Sequence, residues 1–213
     1  MKRMLTVIGS LIVALGTALA LTAPASANTA PTEYVPWLQK SAQQCSGITA
    51  SLLAAQIHAE SDFRKNAVSR SNAQGPAQFI PSTWAIWGVD ADGDGKADPF
   101  SIPDAVTSQG RFMCHLLAET TAGVNAGRLR GHPLDLAIAG YHAGLGAVTR
   151  AGGMPSGGKY TTETQPYVQK IRMLEPSYRY LNTGGDSIGI PAPPLVIPEE
   201  LLDFGSLSSF SLN

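Results

Sequence analysis

Apolar residues at helical spacing are the feature that most restricts how this chain can fold. They recur every three or four residues in six segments, and no segment alternates strongly enough to predict a strand. The predicted helices cover residues 37–44, 50–60, 81–87, 102–121, 134–141 and 162–174. We therefore expect one domain that is all-α, or α with minimal β, with a core of about 150 residues, well within single-domain size.

Residues 1–27 have the pattern of a secretory signal peptide. Two basic residues precede an apolar run at 4–21, and Ala-Ser-Ala at 25–27 has the form of a small-residue cleavage site. A membrane anchor is the alternative, because the run is near the lower length limit for a spanning helix. The Gly and Thr content of the run and the cleavage site favour export, so we expect a secreted, extracytoplasmic chain from Asn28 onward. Asn28, and not a Cys, directly follows the cleavage site, so no lipid anchor is expected.

The charge of the chain argues against several classes of partner. Removal of the leader takes away two basic residues, which leaves 13 basic and 16 acidic residues and a net charge of −3. Nucleic-acid-binding proteins normally carry a basic excess, so we expect no nucleic-acid partner. The chain also lacks the basic excess that holds proteins on anionic membranes, although a local patch is compatible with the sequence.

Cys45 and Cys114, the two cysteines of the chain, are expected to form a disulfide. An exported chain folds in an oxidising compartment, where thiols can pair. Two buried free thiols are the alternative. The bond would join the end of the first predicted helix to the fourth.

Composition divides the mature chain into a domain at 28–182 and a tail at 183–213. The tail is rich in Gly, Pro and Ser, which predicts a flexible segment. Its scattered Leu, Ile and Phe residues are compatible with docking on the domain or on a protein partner, and the sequence does not choose between them.

Glu60 is the strongest catalytic candidate because of its helical position. Leu53, Ile57 and Glu60 lie at i, i+4 and i+7, so one helix face presents two apolar residues followed by an acid. Partial burial penalises the charged carboxylate and raises its pKa, which suits a general acid near neutral pH. The alternative is a Glu at a helix end that points into solvent, and the helix alone leaves the two equally open.

Residues 90–98, DADGDGKAD, match the first half of an EF-hand loop. Carboxylates stand at positions 1, 3, 5 and 9, and Gly95 at position 6 permits the sharp turn. Closely spaced carboxylates repel unless a hard cation lies between them. Calcium suits a crowded site of oxygen ligands better than magnesium, so we expect a structural Ca²⁺ and no organic cofactor. A metal-free Asp-Gly turn is the alternative.

Position 12 of this loop is Ser101, where the motif usually has a bidentate Glu. Asp104, three residues further on, could supply the missing carboxylate. The candidate metal ligands are Asp90, Asp92, Asp94, Lys96, Asp98 and Asp104. Lys96 is at position 7, which contributes a backbone carbonyl in such loops.

Four short motifs follow one another at a specific spacing. They are ES at 60–61, AVS at 67–69 with GPAQF at 75–79, AGYHAG at 139–144, and ET at 163–164 with YV at 167–168. Together they resemble the bacterial lytic transglycosylases that have a lysozyme-like domain and are related to goose-type lysozyme. Each motif is weak alone, but the resemblance covers about residues 45–174, most of the mature chain.

The resemblance implies a lysozyme-like fold and peptidoglycan glycan strands as the substrate. It makes Glu60 the catalytic acid and base, and it implies a cell-wall-associated protein, which we expect to be a monomer. The residues that it assigns to substrate binding are Ser69, Gln78, Tyr141, His142, Glu163 and Tyr167. The tail would then be available to a cell-wall protein partner.

A second resemblance lies inside the first. QFIPSTW at 78–84, the acidic loop and IPDA at 102–105 are similar to the membrane-bound branch of these enzymes. That branch has an EF-hand-like calcium loop whose last acidic ligand lies beyond position 12, as Asp104 does here. The chain thus combines features of both branches, and the resemblance supports the calcium prediction.

Two departures from the family pattern affect the subsites. His142 stands where the soluble branch has Asn, and an imidazole does not present a donor and an acceptor together as an amide does. Pro76 and Ala77 replace Leu and Met. Both changes concern the details of substrate binding and leave the expected reaction class unchanged.

The carboxylate count favours a transglycosylase. Most glycosidases use two carboxylates that flank the bond, whereas this sequence offers one, because Asp62 would point to another helix face than Glu60. A lytic transglycosylase uses the 6-hydroxyl of the muramic acid itself, which gives a 1,6-anhydro product. A hydrolytic muramidase on the same scaffold and a non-catalytic, calcium-stabilised wall-binding module are the alternatives.

Overall fold

The computed structural model describes residues 29–184, so the predicted signal peptide and the tail from residue 185 onward lie outside the described residues. Within these limits the chain forms seven α-helices: α1 (Val35–Ser41), α2 (Ala50–Ser61), α3 (Pro81–Trp87), α4 (Ile102–Asn125), α5 (Pro133–Ala143), α6 (Leu145–Ala151) and α7 (Gln165–Leu174). Two 3₁₀ segments, Ala42–Gln44 and Glu175–Gly184, and a π-helical turn, Tyr160–Thr164, extend or connect them. Between residues 29 and 184 there are isolated β-bridges and no strands. The predicted all-α class is confirmed.

Helix α2 is the buried centre of the domain. Thr49 caps it, because its side chain accepts a hydrogen bond from the Leu52 amide. Every residue from Ala50 to Ile57 is buried. A helix that is buried all round needs partners on several sides, and α1, α4, α7 and the segment Glu175–Gly184 supply them.

Helices α1 and α4 approach closely and are covalently joined. A Cβ on Gly110 would lie 2.1 Å from the Ser41 Oγ, so only glycine allows this approach. The Ser41 hydroxyl donates to the Val106 carbonyl at 2.8 Å. Beside this contact, Cys45 and Cys114 form the predicted disulfide, with their Cα atoms 5.9 Å apart.

The chain after α5 is more helical than we expected. Residues 145–151 form α6, a helix that is not among the six predicted ones. Gly144, with φ of 82°, ends α5, and the next helix begins at once because Ala147 and Val148 are buried against the core. The final helix is preceded by the π-helical turn, so its regular part begins at Gln165 and not at residue 162.

The segment Glu175–Gly184 closes the domain over α2. Its Tyr178 and Leu181 side chains are buried, and the Tyr178 hydroxyl lies 2.6 Å from the His58 Nδ1. The Asn182 Oδ1 accepts a hydrogen bond from the Ser51 amide at the start of α2. In the part of the chain that the structure describes, no helix has the length and apolar character of a membrane span.

Candidate active site

Glu60 lies in the last turn of α2 and contacts the first turn of α7. Its Oε1 accepts a hydrogen bond of 2.6 Å from the Tyr167 hydroxyl, across 107 residues of sequence. The packing of α2 against α7 therefore places two of the predicted site residues in direct contact. Glu60 is only partly exposed, so the interpretation of a fully solvated helix-end Glu does not hold.

Burial raises the pKa of Glu60 from 4.5 to about 7. The Tyr167 hydrogen bond and the positive charge of Lys170 act in the opposite direction, because both stabilise the carboxylate. Lys170 lies one turn further along α7 and donates to the Ala59 carbonyl at 3.3 Å. At neutral pH the carboxyl group is thus close to half protonated. Such a group can both give and accept a proton, as acid–base catalysis requires.

Tyr141, in the last turn of α5, adds a second buried hydroxyl near Glu60. Burial and the charge of Glu60 raise the pKa of Tyr141 well above its usual 10, so the hydroxyl keeps its proton. It donates to the Ala77 carbonyl at 2.8 Å. The ring contacts Phe79 and Phe112, with centroid distances of 5.8 and 5.2 Å. Tyr141 therefore connects the α5 side of the site to the turn that carries Ala77.

His142 covers the Tyr167 ring. The two ring centroids are 4.7 Å apart, and the His142 Nδ1 lies 3.1 Å from the Thr164 hydroxyl. Although His142 has exposed surface, desolvation on its covered side lowers its pKa, and the charge of Glu163 only partly opposes this. The imidazole is therefore neutral at pH 7. Glu163 itself is exposed on the π-helical turn.

The chain reverses direction immediately after Glu60. Asp62 and Phe63 both have positive φ, 54° and 58°, a conformation that is costly for residues other than glycine. The buried Ser61 hydroxyl donates to the Pro76 carbonyl at 2.8 Å and holds the returning loop against α2. The Tyr34 hydroxyl holds the Phe63 carbonyl at 2.8 Å. Asp62 is exposed and outside the Glu60 contact, as the sequence predicted.

Ser69 and Gln78 make their hydrogen bonds within this loop. The Ser69 Oγ accepts from the Ala73 amide at 2.9 Å. The Gln78 Nε2 donates to the carbonyls of Ala67 and Gly75 at 3.2 and 2.8 Å. Both side chains thus stabilise the loop itself, and their contact with substrate stays a prediction.

Gln56 is a site residue that sequence analysis missed. It is fully buried one turn before Glu60, and its Nε2 donates to the Tyr167 hydroxyl at 3.2 Å. The available signal was a polar residue at i−4 from the acid, on a helix that is otherwise apolar at those positions.

Three of the six predicted metal ligands converge in the acidic loop. Carboxylate oxygens of Asp90, Asp92 and Asp104 all lie within 4.8 Å of one another. Asp104, in the first turn of α4, is fully buried and accepts from the amides of Ala91 and Asp98 at 2.7 and 2.9 Å. Such a set of oxygen atoms fits a hard cation.

The other two predicted carboxylate ligands, Asp94 and Asp98, contact Lys96. The Asp94 Oδ1 accepts from the Lys96 amide at 2.9 Å. The Asp98 Oδ2 forms an ion pair of 2.8 Å with the Lys96 Nζ. The loop is otherwise held by its own amides, three of which donate to the Asp90 carboxylate.

Gly75 connects the acidic loop to the active-site turn. Its φ is +73°, and a Cβ there would lie 1.7 Å from the Pro99 carbonyl oxygen. Pro99 directly follows Asp98, the last residue of the DADGDGKAD stretch. The turn that carries Ala77 and Gln78 therefore rests on the end of the acidic loop.

The fold and the site together define an all-helical domain in which a partly buried acid accepts a hydrogen bond from Tyr167. The chain belongs to the Transglycosylase SLT domain family, which matches residues 38–162. The predicted membership of the lytic transglycosylase group is thus confirmed. A solved structure of an inactive mutant of the lytic transglycosylase Slt from Pseudomonas aeruginosa is similar, with 18% sequence identity and a TM-score of 0.47. The similarity covers 79% of this chain and 25% of that one, so the present chain spans about a quarter of its length.

Proposed function

We propose that this protein is a secreted peptidoglycan lytic transglycosylase in which Glu60 acts first as acid and then as base. The observation that carries the proposal is the Glu60 carboxyl, raised to a pKa of about 7 and hydrogen bonded by Tyr167. Membership of the family supplies the reaction class. The substrate is the β-1,4 bond between N-acetylmuramic acid and N-acetylglucosamine.

The surroundings of Glu60 favour an internal nucleophile. The groups that shift its pKa are a hydroxyl and an ammonium, and no second carboxylate is among them in the described part of the chain. A double-displacement glycosidase needs a second carboxylate close to the first. A sugar hydroxyl tethered beside the anomeric carbon can react with an effective molarity of roughly 10⁵ M or more, so it needs no second carboxylate.

The reaction has two proton transfers at one carboxyl group. Neutral Glu60 gives its proton to the glycosidic oxygen as the bond between that oxygen and the muramic C1 breaks. The carboxylate then accepts the proton of the muramic 6-hydroxyl while O6 bonds to C1. The product is a 1,6-anhydro-muramic end and a free 4-hydroxyl, and Glu60 is again protonated. Tyr141 and Tyr167 keep their protons throughout, because burial raises the pKa of each well above its usual value.

Product mass is the direct test of the proposed reaction. Purified peptidoglycan is digested with the mature protein and with Glu60→Gln, and products are identified by mass spectrometry. We expect anhydro ends, one water lighter than hydrolysis products, and a loss of activity of about 10³-fold in the variant. Glu119→Gln, which changes an exposed Glu on α4, is the matched control and should keep full activity.

Each other outcome has a separate meaning. Reducing ends would show a muramidase that uses water. Undiminished digestion by Glu60→Gln would refute the assignment of the acid. Binding of peptidoglycan without any cleavage would show a wall-binding module.

We also propose a structural Ca²⁺ in the acidic loop, held by Asp90, Asp92 and Asp104. The support is the convergence of their oxygens and the full burial of the Asp104 carboxylate. The ion would neutralise these acids and so stabilise the loop end on which Gly75 rests. Isothermal titration with Ca²⁺ should show one site, and Asp104→Asn should abolish it. Equal binding by that variant would contradict the proposed ligand set.

Export through the leader at 1–27 is a third part of the proposal. It is supported by the sequence pattern and is compatible with the Cys45–Cys114 disulfide. N-terminal sequencing of protein recovered from outside the cytoplasm should begin at Asn28. An uncleaved N-terminus in that material would favour a membrane anchor.

A further inference from the structure

A chain of hydrogen bonds runs from the core of the domain to Glu60. It begins at the Leu53 carbonyl, which accepts from the Gln109 Nε2 at 3.2 Å. The same Nε2 donates to the Gln56 Oε1 at 3.0 Å. The Gln56 Nε2 donates to the Tyr167 hydroxyl, which in turn donates to the Glu60 Oε1.

The first acceptor fixes the orientation of the two amides. A carbonyl oxygen can only accept, so the NH₂ end of Gln109 must face Leu53. A flipped Gln109 would place its Oε1 against two acceptors, the Leu53 carbonyl and the Gln56 Oε1, and would lose both bonds. In the observed orientation the Gln109 Oε1 is buried and makes no hydrogen bond within the described residues. The row of hydrogen bonds therefore keeps its direction, although the Gln109 Oε1 has no hydrogen-bond donor within the described residues.

The same donor direction extends through Gln56 and Tyr167 to Glu60. Because the Gln109 NH₂ occupies the Oε1 of Gln56, the NH₂ end of Gln56 must face Tyr167. An NH₂ group cannot accept, so the Tyr167 hydroxyl has to direct its proton away from Gln56 and toward Glu60. Both glutamines are fully buried, so bulk water does not compete for these bonds.

We propose that Gln56 and Gln109 are positioning residues that make the Tyr167 hydroxyl a permanent donor to the Glu60 Oε1, so that Oε2 carries the proton transferred in catalysis. Oε1 accepts a hydrogen bond from the Tyr167 hydroxyl in both charge states of Glu60. A neutral carboxyl group with Oε1 so engaged holds its own proton on Oε2. One oxygen is thus anchored, and the other one reacts. The role of Oε2 in proton transfer rests on the proposed function. The direction of the hydrogen bonds does not depend on it.

The charged and titratable groups around Glu60 define what else could change its protonation. They are Tyr167 and Lys170 from α7 and Tyr141 from α5. Gln56 and Gln109 are uncharged, so replacing them changes no charge. The effect proposed for them on Glu60 passes through the Tyr167 hydroxyl, and an effect through packing is the alternative that the test below separates.

A double-mutant cycle on the titration of Glu60 tests the proposal. The carboxyl carbon of Glu60 is followed by ¹³C NMR against pH in the full mature chain without substrate, and the signal is assigned with Glu60→Gln. Tyr167→Phe should raise the pKa of Glu60 by about one pH unit. Gln56→Met, of similar size, should raise it by a few tenths, because it removes the bond that polarises the Tyr167 hydroxyl. In the Tyr167→Phe background Gln56→Met should add no shift.

Gln109→Met provides a second route if Gln56→Met does not fold, and it should give a smaller shift of the same sign. A shift of the same size in the presence and absence of the Tyr167 hydroxyl would overturn the proposal, since the glutamines would then act through packing. No shift in the Tyr167-containing protein would overturn it as well.

The pH profile of peptidoglycan cleavage separates this inference from the proposed function. The pH at which activity falls on the basic side should shift by the same amount as the pKa of Glu60 measured by NMR in each variant. NMR shifts that follow the cycle, with an unmoved activity profile, would support the hydrogen-bond direction and refute Glu60 as the acid.

Discussion

Glu60 and the acidic loop both present carboxylates, but the domain holds them in different ways. Glu60 stands at the end of a buried helix, and bonds that begin in the core reach its Oε1. The acidic loop is mostly exposed, and its carboxylates are held chiefly by amides from the loop itself. Burial raises the pKa of a carboxyl group that the core holds, as at Glu60. A set of exposed carboxylates depends instead on a cation to neutralise its charge. The two regions meet at Gly75.

Gly75→Ala should disrupt the contact between these two regions. We expect it to cause the largest loss of stability. The new Cβ would overlap the Pro99 carbonyl, and φ of +73° is unfavourable for alanine. We expect a loss of about 4 kcal/mol in the free energy of unfolding, measured by urea denaturation. Gly127→Ala is the control, because Gly127 has a similar φ of +68° but open space around its Cβ position. It should lose only about 1 kcal/mol, and equal losses would contradict the close contact as the cause.

Glu60→Gln should increase stability at high pH while it removes activity. Below pH 4.5 Glu60 is neutral in both the folded and the unfolded chain. Between pH 4.5 and about 7 it ionises in the unfolded chain first, so the unmodified protein loses stability as pH rises. At pH 8 the variant should be more stable by up to about 3 kcal/mol, and at pH 4 the difference should vanish.

Urea denaturation of both proteins from pH 4 to pH 8 measures this difference. Glu119→Gln should show no pH-dependent gain, because Glu119 is exposed. A gain for Glu60→Gln that is constant with pH would point to packing in place of the raised pKa.

The sequence predicted the position of Glu60 but not the bonds that support it. Leu53, Ile57 and Glu60 share a face because their spacing follows the helical repeat, and the helix formed where this repeat predicted it. The bond from Gln109 to Gln56 joins α4 to α2 over 53 residues, and such a contact depends on tertiary packing that local spacing does not encode.

The acidic loop and helix α6 also show that local spacing does not encode tertiary contacts. The acidic residues were identified from spacing alone, and the structure brings together the carboxylates of three of the five predicted acidic ligands. Asp94 and Asp98 have local partners in Lys96 that the motif does not reveal. Helix α6 is not among the six predicted helices, and burial of Val148 against the core favours a helix there.

Calcium should stabilise the protein through the loop and leave the pKa of Glu60 unchanged. At 100 times its dissociation constant, Ca²⁺ bound only to the folded state adds about 2.7 kcal/mol, which a denaturation series with and without chelator measures. Asp104→Asn should lose this gain. An equal gain in that variant would place the ion elsewhere, and a melting temperature indifferent to chelator would count against calcium altogether.

The smallest effect should come from Lys170→Met, which tests how much of the Glu60 environment is exposed charge. Lys170 lies on the solvent side of α7 and favours the carboxylate, so its removal should raise the pKa of Glu60 by a few tenths of a pH unit. This shift should shrink at high salt, because exposed charges are screened, whereas the shift from Tyr167→Phe should persist. Lys40→Met removes the same charge on α1 and should leave the ¹³C titration of Glu60 unmoved. If the pKa shift caused by Lys170→Met is unchanged at high salt, Lys170 acts on Glu60 through a contact that solvent does not screen. Lys170 of α7 would then belong to the buried environment of Glu60 and not to the exposed charges.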